Sequence, residues 1–118
     1  MKRPSPKELN NKIKAAQDSI DRGRVALLNQ TVMACDAIEL DYDIELELLS
    51  FLPECLYNRS PLDYAGQNPP QKAYAPEISG LELFAFKITK GPFGFPVYIK
   101  YAHADDTLWL VSFHADRS

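Results

Sequence analysis

The sequence predicts an α+β domain in which N-terminal helices pack on one face of a small, mainly antiparallel β-sheet, and three observations predict it. Apolar residues recur at helical spacing in the first half, most cleanly at Leu9, Ile13, Ala16 and Ile20. From Leu83 onward the pattern changes to period-two alternation, over Leu83–Thr89, Phe95–Ala102 and Thr107–His114. Between these halves, residues 58–80 are rich in Pro, Gly, Asn and Ser. They read as a long connection with at most one short strand, and connections of that length in small domains often carry function. At 118 residues and 46% hydrophobic content, the chain is expected to form one domain, 1–118.

The first helix starts at Ser5-Pro6-Lys7-Glu8, where Ser5 suits the N-cap, Pro6 the first turn and Glu8 the capping box. Gly23 is its natural stop. A short extended piece, Val25 to Leu28, leads to a second helix from about Thr31 to Leu40. Asp41-Tyr42-Asp43 is cap-like, and Ile44, Leu48, Leu49 and Leu52 fit a third short helix ended by Pro53.

The final hairpin carries the polar groups of most chemical interest. Val97, Ile99 and Tyr101 alternate with Tyr98 and Lys100, and Trp109, Val111 and Phe113 alternate with Leu110, Ser112 and His114. Placing both bulky sets on the core face requires an odd-length loop within His103–Asp106, for which a three-residue loop with a bulge is suitable. Tyr98, Lys100, Ser112 and His114 then share the opposite face. On periodicity alone, that face could be plain solvated surface. His103, in the turn, is expected to be solvated.

Composition excludes several classes. The net charge is −3, with 7 Lys/Arg against 10 Asp/Glu in residues 1–56 and 6 against 6 in residues 57–118, so an anionic ligand should prefer the second half. The N-terminus MKRPSPKE lacks the apolar run of a signal peptide, and Cys35 and Cys55 are too few for a disulfide framework; a reducing cytoplasm is expected. No stretch is long and apolar enough to span a bilayer, so no membrane partner is expected. Two Cys and two His at 35, 55, 103 and 114 lack zinc-like spacing. The acidic run Asp36, Glu39, Asp41, Asp43, Glu45 and Glu47 lacks the order of a calcium loop and reads as a solvated helix end; no metal is expected.

Four segments, taken in order, resemble the motility quorum-sensing regulator (MqsR) family of toxins. They are Gly23 followed at a helix-sized distance by Leu40-Asp41-Tyr42-Asp43; Tyr57; the run from Tyr64 to Tyr74-Ala75-Pro76; and Val97-Tyr98-Ile99-Lys100 followed by Val111-Ser112-Phe113. The resemblance implies a RelE-like α+β fold and a messenger-RNA interferase. Such an enzyme cuts single-stranded RNA with the ribose 2′-hydroxyl as nucleophile, needs no metal or cofactor, and is neutralised by an antitoxin protein encoded nearby. Carried over by position, Gln71 falls on an active-site glutamine, Tyr98 on an active-site tyrosine and His114 on a catalytic lysine. The family's loop lysine is replaced by Asn58, with Arg59 beside it. Segment 77–94 is longer than in the family.

Metal-independent RNA cleavage needs a base at the 2′-hydroxyl, cations or donors around the phosphorane and an acid for the 5′-oxygen. Under the resemblance His114 is the acid or base, Tyr98 a donor or proton shuttle, Lys100 and Arg59 phosphate clamps, and Gln71 an orienting partner. Lys72 and Arg117 are secondary phosphate contacts, and Tyr64 and Tyr74 could stack on bases. Two other readings stand beside this one. One is a catalytically weak relative that acts as a protein- or RNA-binding regulatory module, and the other is an unrelated α+β binding module.

Overall fold

The computed structural model describes residues 4–56, 61–67, 70–89 and 95–115. Ser5 caps the first helix, its side chain accepting the Glu8 backbone N–H at 3.1 Å, and α1 runs Pro6–Asp21. Leu9, Ile13, Ala16 and Ile20 form its buried stripe. Gly23 follows at φ 69°, a left-handed turn that favours glycine, and leads into β1 (Val25–Leu27). Asn29 accepts the Val32 N–H and starts α2 (Gln30–Leu40), which ends on Asp41 at φ 58°.

The next helix, α3 (Ile44–Leu56), corrects one expectation, because Pro53 lies inside it rather than ending it. Proline removes one backbone donor. The turn beyond it is held by packing instead: Cys55 and Leu56 are fully buried, and the Leu56 carbonyl accepts Gln17 Nε2 at 2.7 Å. Tertiary contacts outweigh the local penalty.

Strands β2 (Phe84–Ile88), β3 (Val97–Ala104) and β4 (Thr107–Ala115) join β1 in a mixed sheet of order β1-β4-β3-β2. β1 runs parallel to β4 and the other neighbours are antiparallel. The β3–β4 turn is not the expected odd loop. It is a two-residue turn at Asp105 and Asp106, with φ 53° and 59°, the conformation of a type I′ hairpin. Parity changes further along, at a bulge between Lys100 and Tyr101 that leaves Val111 of β4 unpaired. On the turn side Tyr101 opposes Leu110 and Ala102 opposes Trp109; past the bulge Lys100 opposes Ser112 and Tyr98 opposes His114.

The bulge therefore divides the bulky set of β4. Leu108, Leu110 and Phe113 are fully buried in the main core with Leu9, Met33, Leu52, Phe84, Phe86, Ile99 and Tyr101. Trp109 and Val111 face the other way, contrary to expectation, and pack on a second, smaller cluster of Ala73, Ile78, Leu83 and Ala102. Thus the helices cover one sheet face, and the described residues cover the second face only in part.

That partial cover is a small ladder within the long connection. The Leu83 N–H donates to the Gln71 carbonyl at 2.7 Å and the Ala73 N–H to the Leu81 carbonyl at 2.8 Å, with a 3-10 turn at Pro76–Ile78 between the two arms. The connection also contains a 3-10 turn at Pro61–Asp63, after which Tyr64 bridges Phe86 on the outer edge of β2.

Two acids expected at a solvated helix end serve the sheet instead. β1 pairs with Leu108–Leu110 only, so later N–H groups on that edge of β4 need other acceptors. Asp36 Oδ2 accepts the Phe113 N–H at 3.1 Å and Glu39 Oε1 accepts the Ala115 N–H at 2.8 Å. Two carboxylates one turn apart on α2 thus hold the C-terminal part of β4.

Candidate active site

Past the bulge, two rows of side chains cross the uncovered part of the second sheet face. Ala85, Lys100 and Ser112 form one row, and Lys87, Tyr98 and His114 the other. Directly opposed strand residues touch, and here the Tyr98 and His114 rings stack at 5.2 Å between centroids with 21° between their planes. The ladder brings Gln71 to the same place. Together with Ala65, Gly66, Gln67, Leu83, Ala85, Tyr98 and Lys100 it lines a pocket of about 300 Å³. Ala85, with a single methyl, leaves room for this space beside Lys100.

The chemistry of each group follows from its surroundings. His114 Nδ1 lies 2.7 Å from the Ala115 carbonyl, an acceptor only, so Nδ1 carries a proton and the neutral ring leaves its lone pair on Nε2. That is the tautomer of a base. Burial pushes the Tyr98 phenol above its ordinary pKa of 10.0, so near neutral pH it is a hydrogen-bond donor. The Lys100 side chain makes no hydrogen bond or ion pair with the described residues and lines the pocket as a cation.

Of the other expected residues, Tyr64 is corrected. Its ring is buried in the main core against Phe84 and Phe86, and its hydroxyl donates to the Gln67 carbonyl. No ring face remains on which a base could stack. Tyr74 is 90% exposed and keeps that capacity, but it lies outside the pocket lining. Lys72 is exposed next to Gln71. Tyr57, Asn58, Arg59 and Arg117 lie outside the described residues. Ser112 is half-buried opposite Lys100. Gln67 is a pocket residue that sequence reasoning missed; a glutamine in a Gly/Pro-rich connection carries no distinguishing signal.

His103 is likewise not a solvated turn residue. Ser19 Oγ donates to the Asp106 carbonyl at 2.9 Å, so its contact with His103 Nε2 at 2.8 Å is one in which the imidazole donates. These groups line a smaller pocket of about 110 Å³ with Asp18 and Arg22. Burial and the nearby Lys12 hold the His103 pKa below its ordinary 6.5, against an opposing pull from Asp106. A depressed folded-state value means that the folded chain binds fewer protons than the unfolded one. The stability linked to His103 is complete above pH 6.5 and falls as pH drops from there through the folded-state value. Denaturant unfolding at pH 7.5 and 5.5 is expected to show this loss, and His103→Gln to reduce it. An unchanged pH slope in the variant would place the proton uptake elsewhere.

Fold and site together define a small α+β protein with a polar pocket on the uncovered part of a mixed sheet. No family model, curated protein or solved structure matches the chain. Among the described residues no helix is long and apolar enough to cross a membrane, and no group of three or more His, Cys, Asp or Glu could hold a metal ion.

Proposed function

We propose that this chain is a metal-independent endoribonuclease of the toxin–antitoxin type, with the RelE-like fold and the messenger-RNA interferase activity that the MqsR resemblance implies. One observation carries the reading. Gln71, Tyr98 and Lys100, drawn from two distant segments, line one pocket, and His114 stacks on Tyr98 at its side. His114 Nε2 takes the proton from the ribose 2′-hydroxyl as O2′ bonds to phosphorus. Lys100 and the Tyr98 phenol stabilise the phosphorane, and Gln71 orients the phosphate by hydrogen bonding. As the P–O5′ bond breaks, the 5′-oxygen receives a proton through Tyr98, leaving a 2′,3′-cyclic phosphate and a 5′-hydroxyl. The partners are single-stranded RNA and an antitoxin protein encoded nearby.

The test is incubation of purified protein with single-stranded RNA in EDTA, followed by analysis of the ends. Cleavage leaving 2′,3′-cyclic phosphates is expected. The net charge of −3 favours a different reading over active cleavage, because RNA binding draws on positive charge. In that reading the chain is an inactive regulatory module. RNA left as intact as in buffer, while a neighbouring protein still co-purifies, would select it.

A further inference from the structure

The wall of the pocket formed by residues 64–67 is built with more constraint than a passive loop needs. Tyr64 is buried and bridges Phe86, the Ala65 N–H donates to the Ala85 carbonyl at 2.8 Å, and the Tyr64 hydroxyl holds the Gln67 carbonyl. Gly66 lies so close to the Tyr64 ring that an added Cβ would come within 2.7 Å of the hydroxyl oxygen and 2.8 Å of the ring. Only glycine lets the chain pass here. These contacts fix the backbone of Gln67 to the sheet edge, while its side chain remains exposed at the pocket.

The distance from this wall to the reacting groups has a natural meaning. Residues 64–65 pair with β2 and β2 pairs with β3, so the segment that carries Gln67 leaves the sheet edge roughly two strand spacings, about 10 Å, from the Tyr98 and Lys100 strand. That is the reach of one nucleotide from its phosphate to the far edge of its base. A carboxamide offers an adjacent donor and acceptor, the pattern that pairs with a base edge, and single-stranded RNA is read on such edges. Among the described lining residues Lys100 is the sole cation and there is no anion, which fits one phosphate at that end and a neutral base at the other.

We infer that the pocket holds a single nucleotide, with its phosphate at Lys100 and Tyr98 and its base edge read by Gln67, which makes Gln67 a specificity-determining residue. The assignment of the phosphate end rests on the ribonuclease reading above. Gln67 is exposed, so its truncation leaves the packing of Tyr64 and Gly66 intact, which an unchanged Tm would show.

The test compares wild type with Gln67→Ala and Gln67→Glu in two assays. One is cleavage of short single-stranded RNAs varied at each base around the cut; the other is binding of the four nucleoside 3′-monophosphates followed by NMR. In wild type the four bases are expected to differ by on the order of tenfold, the discrimination supplied by one bidentate amide contact. In Gln67→Ala the ranking collapses because KM for the preferred base rises toward that of the poorest, and Gln67→Glu weakens mononucleotide binding further by placing a carboxylate in the pocket. If RNA is cut and the variants keep the wild-type ranking and Kd, the inference falls and the nuclease reading stands. If no RNA is cut but mononucleotides bind in a Gln67-dependent way, the nuclease reading falls and the inference stands. If RNA is not cut and mononucleotides do not bind, both fall.

Discussion

Replacing His114 with alanine is expected to lower the rate of RNA cleavage by roughly 100- to 10,000-fold, the share that one positioned acid–base group supplies. The expectation rests on three features of the ring. Its Nδ1 proton is committed to the Ala115 carbonyl, so the neutral imidazole presents a lone pair at Nε2. Its face is stacked on Tyr98, which fixes the ring plane beside the pocket. The strand that carries it is held from behind, where Asp36 and Glu39 bind the N–H groups of Phe113 and Ala115 on either side. The ring is only half-buried, so its removal should cost little stability and the variant should unfold at nearly the wild-type midpoint. His114→Lys is the informative companion. A lysine has an ordinary pKa of about 10.4, so it is a base only at higher pH, and the variant is expected to regain part of the rate with its optimum displaced upward. Full cleavage by His114→Ala would remove this residue from the mechanism.

The features legible in the sequence are those decided by neighbours along the chain. Ser5 with Glu8, the stripe Leu9 to Ile20, and Gly23 are local signals, and each appears in the structure as the spacing predicts. The site was legible in a different sense. Alternation placed Tyr98, Lys100, Ser112 and His114 on one face, as the structure does, but Gln71 lies far away in the chain and came only from the resemblance. What escaped reading depends on contacts between distant segments. Pro53 reads as a helix stop until Cys55 and Leu56 are seen to be buried. Tyr64 reads as a loop aromatic because its partner Phe86 is in another element. The bulge leaves one trace in the sequence: Leu108 and Leu110 share a parity that Phe113 breaks. Bulk makes Trp109 the stronger core signal along the chain, and an odd loop preserves its parity where the two-residue Asp105-Asp106 turn does not.

The register of β4 can be tested directly, and Phe113→Ala is expected to have the largest effect on stability, about 3–5 kcal/mol. Phe113 is fully buried, opposes Ile99, and lies 5.6 Å from the Tyr42 ring between sheet and helices. Its backbone N–H is also the one that binds Asp36. Domains of this kind have a total stability of about 5–15 kcal/mol, so the loss is a large part of the whole. It corresponds to roughly 10–20 °C in Tm. Trp109→Ala is the comparison that makes the test specific. If Trp109, Val111 and Phe113 shared the core face, the two truncations would cost similar amounts, because both would empty the same core. With the bulge at Val111, Trp109 lies half-buried on the second cluster over Ala102, where less apolar area is withdrawn from water and a neighbouring loop can close on the space. Denaturant unfolding should therefore rank Phe113→Ala well below Trp109→Ala in midpoint at unchanged m. Equal losses would mean that the parity of β4 does not change at Val111. In that case Tyr101 would oppose Val111 rather than Leu110, whereas Ser112 and His114 would still face Lys100 and Tyr98, so equal losses would overturn the bulge and the packing of Trp109 but leave the face of the site in place.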